Sequence, residues 1–247
     1  TLLNNPSQIG KVAYELIQFD PISIEGYSSS IYSLAEYFKE NDLKIKSLKQ
    51  VLTTAENLED YQKQLIEEVF PPVGDLYGSG EVLGIATRPA GDDRYYVFDP
   101  HVIVETIDSK LPGIKDILIT DLDNYGMPLI RYKIGDMIDS INEPDHNSRY
   151  PFKWFRKIYG RSSEIITLPN GMKFHPVNIF GGTLFRKFPG IRKHKVTWDG
   201  KTLKFIFEIN EIVDQIKLKK ELEELLKPYN VTFLMEYTNK IEPSENG

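Results

Sequence analysis

Residues 47–81 read SLKQVLTTAENLEDYQKQLIEEVFPPVGDLYGSGE, and this stretch decides the fold class. Ser47 to Thr53 reads as a short buried strand. From 59 to 70 the period changes: Tyr61, Leu65, Ile66, Val69 and Phe70 share one helical face. Pro71-Pro72 stops that helix, because proline cannot continue the hydrogen-bond ladder. Strand followed by helix is the unit of a parallel sheet covered by helices, so the reading is α/β.

The flanking sequence extends this reading in both directions. Upstream, Ile9, Val12, Ala13, Leu16 and Ile17 predict a helix over 9–19, with Ser7 as its N-cap and Asp20-Pro21 as its end. Ile22 to Ile24 is an apolar step into Gly26-Tyr27-Ser28-Ser29-Ser30, and Ile31, Leu34, Ala35 and Phe38 mark a second helix. Downstream of about 94 the pattern turns to β. Val102 to Ile107, Ile117 to Thr120, Leu129 to Tyr132 and Met137-Ile138 are strand candidates. A polar linker near 141–153 precedes a domain boundary near 161–163. The rest reads as a small α+β domain. Leu203, Phe205, Phe207 and Ile209 alternate on a strand, and Val231, Phe233, Met235 and Tyr237 form a closing one. Between them Ile212, Val213, Ile216, Leu222, Leu225 and Leu226 stripe a charged helix.

Composition narrows the function. The 247 residues suffice for one large or two small domains. No apolar run reaches the roughly 18–20 residues of a spanning helix, and TLLNNPSQIG at the start does not read as a secretory signal. The expectation is a cytoplasmic protein with no membrane span. Thirty Lys+Arg against 36 Asp+Glu leave a net charge of −6, which argues against nucleic acid as a partner. Cysteine is absent, so disulfides, thiolate catalysis and Cys-based zinc sites are excluded. There is no phosphate-loop or Rossmann glycine motif, no G-x-S-x-G elbow and no H-E-x-x-H.

Three clusters could carry chemistry. In Asp75-Leu76-Tyr77-Gly78-Ser79-Gly80-Glu81, two glycines and a serine leave backbone N–H groups accessible to an anion. Tyr77 offers a flat face, and Glu81 is a hard oxygen ligand suited to Mg²⁺. The same residues also read as an ordinary turn between a helix and a strand. In Pro128-Leu129-Ile130-Arg131-Tyr132-Lys133-Ile134-Gly135-Asp136, an Asp at the end of an apolar strand could grip a ribose diol or simply cap a turn. In Tyr159-Gly160-Arg161-Ser162-Ser163-Glu164, Arg161 could meet a phosphate or form a surface ion pair. Asn170-Gly171 beyond it is a hairpin signal. His101, His146, His175 and His194 read as structural. Trp154 and Phe155 among Lys153, Arg156 and Lys157 read as a linker packing its aromatics.

Taken in order, these segments resemble the adenylate-forming enzymes. The branch is the phenylacetate–CoA ligase-like group, which includes proteins of capsular polysaccharide biosynthesis. Glu25 to Ser29, Thr53 to Leu58, Asp75 to Glu81, Ile119 to Leu122, Pro128 to Asp136, Gly160 to Glu164 and Phe174 to Pro176 carry the resemblance. It implies the later part of a large α/β domain over 1–161 and a small mobile C-terminal domain over 162–247. Thr53 to Asn57 would line the adenine pocket, mainly through the backbone of Ala55 and Glu56. Asp75, Tyr77 and Gly78 would wall the adenine, with Ser79 in the same nucleotide loop. Glu81 would coordinate Mg²⁺, Asp136 would bind the ribose, and Arg161 would contact ribose or phosphate. Tyr27 to Ser30 would lie near the acyl pocket.

The implied reaction is attack of a small-molecule carboxylate on the α-phosphate of ATP, with coenzyme A as the expected acceptor; a homodimer stays open. The family's Ser/Thr/Gly-rich loop with its Lys would precede this sequence, and Lys240 does not match the family's C-terminal Lys. Gly80 stands where relatives usually carry Ser or Thr, and Ser163 where the hinge is often Asp. The implied piece would therefore be inactive alone. The alternative is a non-catalytic binding or scaffold module that kept the fold.

Overall fold

The computed structural model describes residues 6–145, 147–176, 184, 187, 188, 190–209 and 213–241. His146, Ile212 and residues 242–247, which entered the reading above, lie outside the described residues. The chain forms two compact units, Thr1–Gly160 and Arg161–Gly247.

In the first unit α1 (Pro6–Phe19) starts at its proline, where a missing N–H costs nothing. Ser7, read as a cap, therefore sits inside the first turn. Asp20 ends the helix in a left-handed conformation, and its carboxylate accepts from the Ser47 backbone N–H and hydroxyl at 2.9 and 2.8 Å. Then come β1 (Ser23–Tyr27), α2 (Ser28–Glu40), β2 (Gln50–Thr54), α3 (Asp60–Val69) and β3 (Val73–Tyr77). β1, β2 and β3 are parallel, with Gly26 opposite Thr53 and Thr53 opposite Asp75. Ala13, Leu34, Phe38, Ile66 and Phe70 from the helices pack with Val51 and Val73 of the sheet in one core. The sheet continues antiparallel through β4 (Ala86–Arg88), β5 (Tyr95–Val97) and, beyond the strands of the second sheet in the chain, β9 (Trp154–Phe155).

The second sheet has the order β10-β8-β7-β6: β6 (Val102–Asp108), β7 (Lys115–Asp121), β8 (Tyr132–Ile138) and β10 (Ile158–Arg161). Here the structure corrects the sequence reading. Leu129 to Arg131 is not strand, because Pro128 precedes it and Arg131 adopts φ +50°. Tyr132 and Met137-Ile138 belong to one strand, not two. A second core joins the two sheets, through Tyr77, Ile85, Tyr95, Val97 and Phe155 of the first and Val104, Ile117, Ile119 and Ile138 of the second.

The second unit holds a small hairpin, β11 (Ile166–Thr167) with β12 (Lys173–Phe174), turned at Asn170-Gly171 with Gly171 at φ +81°. β13 (Ile191–Trp198) and β14 (Thr202–Ile209) form an antiparallel pair. α4 (Gln215–Leu226) carries the chain across to β15 (Thr232–Thr238), which lies parallel to β14. The buried stripe of α4 is Leu218, Leu222 and Leu226, packed on Phe205 and Phe207. Ile216, assigned to that stripe by sequence, is 74% exposed. Two residues before Leu218 is about 200° around the helix, which is its far side. No helix among the described residues is long and apolar enough to cross a membrane.

Candidate nucleotide site

β1, β2 and β3 run parallel, so their carboxyl ends, at Tyr27, Thr54 and Tyr77, lie on one edge of the sheet. Ligands of open α/β sheets bind outside that edge, because the loops leaving it can be shaped without disturbing the sheet. The first sequence cluster falls there, and two residues of the second, Tyr132 and Asp136, reach it through Glu81 and Tyr77.

Ala55, just after β2, has φ +66°, a conformation an L-residue adopts only at a cost of about 1–2 kcal/mol. The loop is held in that shape from the neighbouring strand end. The Ser28 hydroxyl donates to the Glu56 carbonyl at 3.1 Å, and the Ser29 backbone N–H donates to the Glu56 carboxylate at 2.9 Å. Tyr27, in the cap position of α2, supplies no side-chain cap. Glu56 fills that role from outside the helix, with its charge on the positive end of the helix dipole.

Beneath the loop lies Asp75, 3% exposed. The Thr53 hydroxyl donates to one of its oxygens at 2.6 Å and the Tyr95 hydroxyl to the other. Arg88, opposite Asp75 on β4, stacks its guanidinium over the Tyr95 ring at 5.0 Å. Burial pushes the Asp75 carboxyl above the usual carboxylate range, opposed by the two hydroxyls and by Arg88. Asp75 therefore ties β2, β3 and β5 together from inside. The expected wall against a ligand is not where its carboxylate points.

Tyr77 is also set inward. Its ring is 8% exposed, lies edge-on to Phe155 at 5.9 Å, and Phe155 in turn stacks on Tyr95. It presents a hydroxyl where the sequence reading gave it a flat face. That hydroxyl donates to Asp136 at 2.8 Å across 59 residues of chain. Asp136 sits on β8 beside Gly135, which has φ +89°, where the β7–β8 register shifts between Asp116 and Leu118. Such an irregularity re-aims a side chain out of the pleat.

The segment from Gly78 to Gly84 forms a tight loop. The Ser79 N–H donates to the Val82 carbonyl at 2.9 Å, and the Val82 N–H returns to the Ser79 hydroxyl at 3.1 Å. A Cβ at Gly78 would stand 2.8 Å from the Gly84 nitrogen, whereas one at Gly80 would meet nothing within 4 Å. Gly78→Ala should therefore cost about 1–3 kcal/mol of unfolding free energy. Gly80→Ala should stay within about 0.5 kcal/mol. Urea denaturation of the two variants checks the contrast; equal costs would remove the steric role of Gly78. Glu81 is exposed, and the Tyr132 hydroxyl donates to its carboxylate at 3.2 Å.

Arg161 is exposed and opens the second unit; its carbonyl accepts from His175 Nε2 at 3.0 Å. His175 is buried with Nε2 also 3.3 Å from Glu164, which suits the structural reading. The guanidiniums of Arg94 and Arg156 each stack over the Trp154 ring, at 4.6 and 4.8 Å, and Arg156 is matched by Asp93. Thus the structure brings together Glu56 with Ser28 and Ser29, Tyr77 with Asp136, and Glu81 with Tyr132. Sequence reasoning missed Tyr95 and Arg88 as supports of Asp75. No short motif contains them, and only the strand pairing reveals the set.

No family model matches the chain. Protein CapK of Staphylococcus aureus is 25% identical over 240 residues, 94% of this chain and 53% of its own length. Indoleacetate–lysine synthetase of Pseudomonas savastanoi is 30% identical over 117 residues, 45% of this chain and 28% of its own. The chain thus spans about half or less of the curated relatives it matches. Among solved structures, 2-hydroxyisobutyryl-CoA ligase in the postadenylation state, in complex with 2-HIB-AMP, superposes with a TM-score of 0.71 at 16% identity. That superposition covers 98% of this chain and 56% of the ligase.

Proposed function

We propose that this chain, which has the fold of an adenylate-forming CoA ligase, is the nucleotide-binding and C-terminal part of an enzyme that activates carboxylates with ATP. The observation that carries this reading is the gathering of the Ala55–Glu56 loop, the Gly78–Glu81 loop and Asp136 at the carboxyl edge of one parallel sheet. The likeness to a CoA ligase and to indoleacetate–lysine synthetase supports the reaction class. Thr1–Gly160 would be the later part of the large ATP- and acyl-binding domain, and Arg161–Gly247 the small C-terminal domain.

The residues divide the work as follows. The backbone of Ala55 and Glu56 faces the adenine, and Asp136 accepts from the ribose hydroxyls. Amides of Gly78 to Gly80 face the phosphates. Asp75 acts from underneath, by fixing the strand ends. Among the described residues no cluster of three or more His, Asp or Glu could hold a metal alone. That fits Mg²⁺ carried mainly by phosphate oxygens and water, with Glu81 as the protein's carboxylate. When bound there, the ion would neutralise phosphate charge. A carboxylate oxygen of the acid then forms a bond to the α-phosphorus while the bond to the pyrophosphate oxygen breaks. In the second half, a thiolate sulfur, that of coenzyme A, adds to the acyl carbon and AMP leaves. Catalysis is by positioning and electrostatics.

ATP–pyrophosphate exchange by the full-length protein, across aliphatic and aryl carboxylic acids, tests this. Exchange stimulated by one class of acid is expected. No exchange with any acid, together with no rise in melting temperature on adding ATP or AMP, would sink the proposal.

A further inference from the structure

The loop that carries Glu81 is tied down at its far end by a histidine outside the site. His101 Nδ1 lies 2.5 Å from Asp123 Oδ2, and Nε2 lies 3.2 Å from the Leu83 carbonyl. Both ends of this bridge are acceptors only: a carboxylate and a peptide carbonyl. Each ring nitrogen must then carry a proton, and only the imidazolium has both. The anchor is well built. The Leu122 N–H donates to the His101 carbonyl at 3.0 Å, and Asp121 accepts from the Asp123 and Asn124 amides at 2.9 and 3.3 Å. Val82 is buried in the core, but the neighbouring Leu83 side chain is 80% exposed, so packing of Leu83 itself does not fix its carbonyl.

We propose that His101 is a positioning residue, an imidazolium staple that holds the Gly78–Gly84 loop in its ligand-binding shape through the Leu83 carbonyl. The proposal rests on the reading of that loop as phosphate-facing. The charged groups that face the ring are Asp123, in the turn after β7, and, further off, Asp121, the last residue of that strand. Asp99, two residues before His101, is turned to the Lys153 amide. Asp123 holds the ring's pKa above the ordinary imidazole range, against partial burial. The sign follows. The staple is fully present below the ordinary value of about 6.5 and is lost as pH rises through the raised one. A neutral ring keeps one bond and drops the other.

The test uses the full-length protein and two variants. In His101→Gln, amide exchange over residues 80–84 should quicken and affinity for Mg²⁺-ATP should fall about three- to tenfold, with little change in melting temperature. Wild-type protein should show the same weakening as pH passes the ring's own pKa, followed by NMR, while His101→Gln stays flat. Asp123→Asn keeps an acceptor but removes the charge, so the ring's pKa and the pH profile should both move down. A ring that titrates at or below the ordinary value would overturn the proposal, as would His101→Gln with wild-type loop exchange at every pH. If wild-type protein binds no nucleotide, the proposed function fails instead, and ring titration with loop exchange still decides the staple.

Discussion

Glu81→Gln in the full-length protein should lower the rate of acyl-adenylate formation about 10²- to 10³-fold, with a much smaller change in KM for ATP. The substitution keeps the shape of the side chain and leaves an amide oxygen for the Tyr132 hydroxyl, so only the charge is lost. A carboxylate that shares a cation with the phosphates acts mainly where charge develops, at the α-phosphorus in the transition state. Losses there fall on kcat. Glu81 is exposed, so folding should change by no more than about 0.5 kcal/mol. Activity should also need more Mg²⁺ to reach its plateau. Tyr132→Phe makes the companion measurement. It removes the bond that orients Glu81 and leaves the charge, so about a two- to fivefold loss is expected. Full exchange by Glu81→Gln with an unchanged Mg²⁺ dependence would remove Glu81 from the chemistry.

The way these residues could be found differs from one to the next. Glu81, Asp136 and the glycines stand in short motifs because, in the proposed function, a loop that brings amides and a carboxylate to phosphate needs small residues beside it. Gly78 is there for space, as its contact with the Gly84 nitrogen demands. The four helices α1 to α4 were legible because their apolar residues repeat at helical spacing. The strand Val73–Tyr77 was not, although it carries Asp75. Two prolines precede it and Gly74 interrupts its pattern. Gly74 is there because a Cβ would come within 3.2 Å of the Arg88 carbonyl and the Leu52 side chain. The division of the β region into two sheets was not legible either. β4, β5 and β9 have three, three and two residues, too short for any period to show. The inward turn of Asp75 and Tyr77 depends on those same strands, since Tyr95 and Phe155 lie on β5 and β9. Chain-distant packing therefore decided which motif residues turn inward to hold the frame.

Under the proposed function Asp136 both holds the frame and binds the ligand, and its substitution separates the two roles. Asp136→Ala should raise the KM for ATP about 10- to 100-fold, because the ribose would lose hydrogen bonds to a charged acceptor worth about 1.5–3 kcal/mol each. It should also lower stability by about 1–3 kcal/mol, since the buried Tyr77 hydroxyl loses its acceptor at 2.8 Å. Asp136→Asn splits these effects. Its amide oxygen can still accept from Tyr77, so the melting temperature should return most of the way to wild type. The NH₂ group can donate but not accept, so a ribose diol would find only one acceptor where it had two, and KM should stay raised. Tyr77→Phe is the converse: a modest loss of stability with only a few-fold change in KM. Measured together in urea denaturation and ATP titration, the three variants and the Tyr77–Asp136 double-mutant cycle give the coupling between frame and ligand. If Asp136→Ala loses stability while its affinity for ATP stays at the wild-type value, Asp136 belongs to the frame alone, and the ribose must be held by another residue.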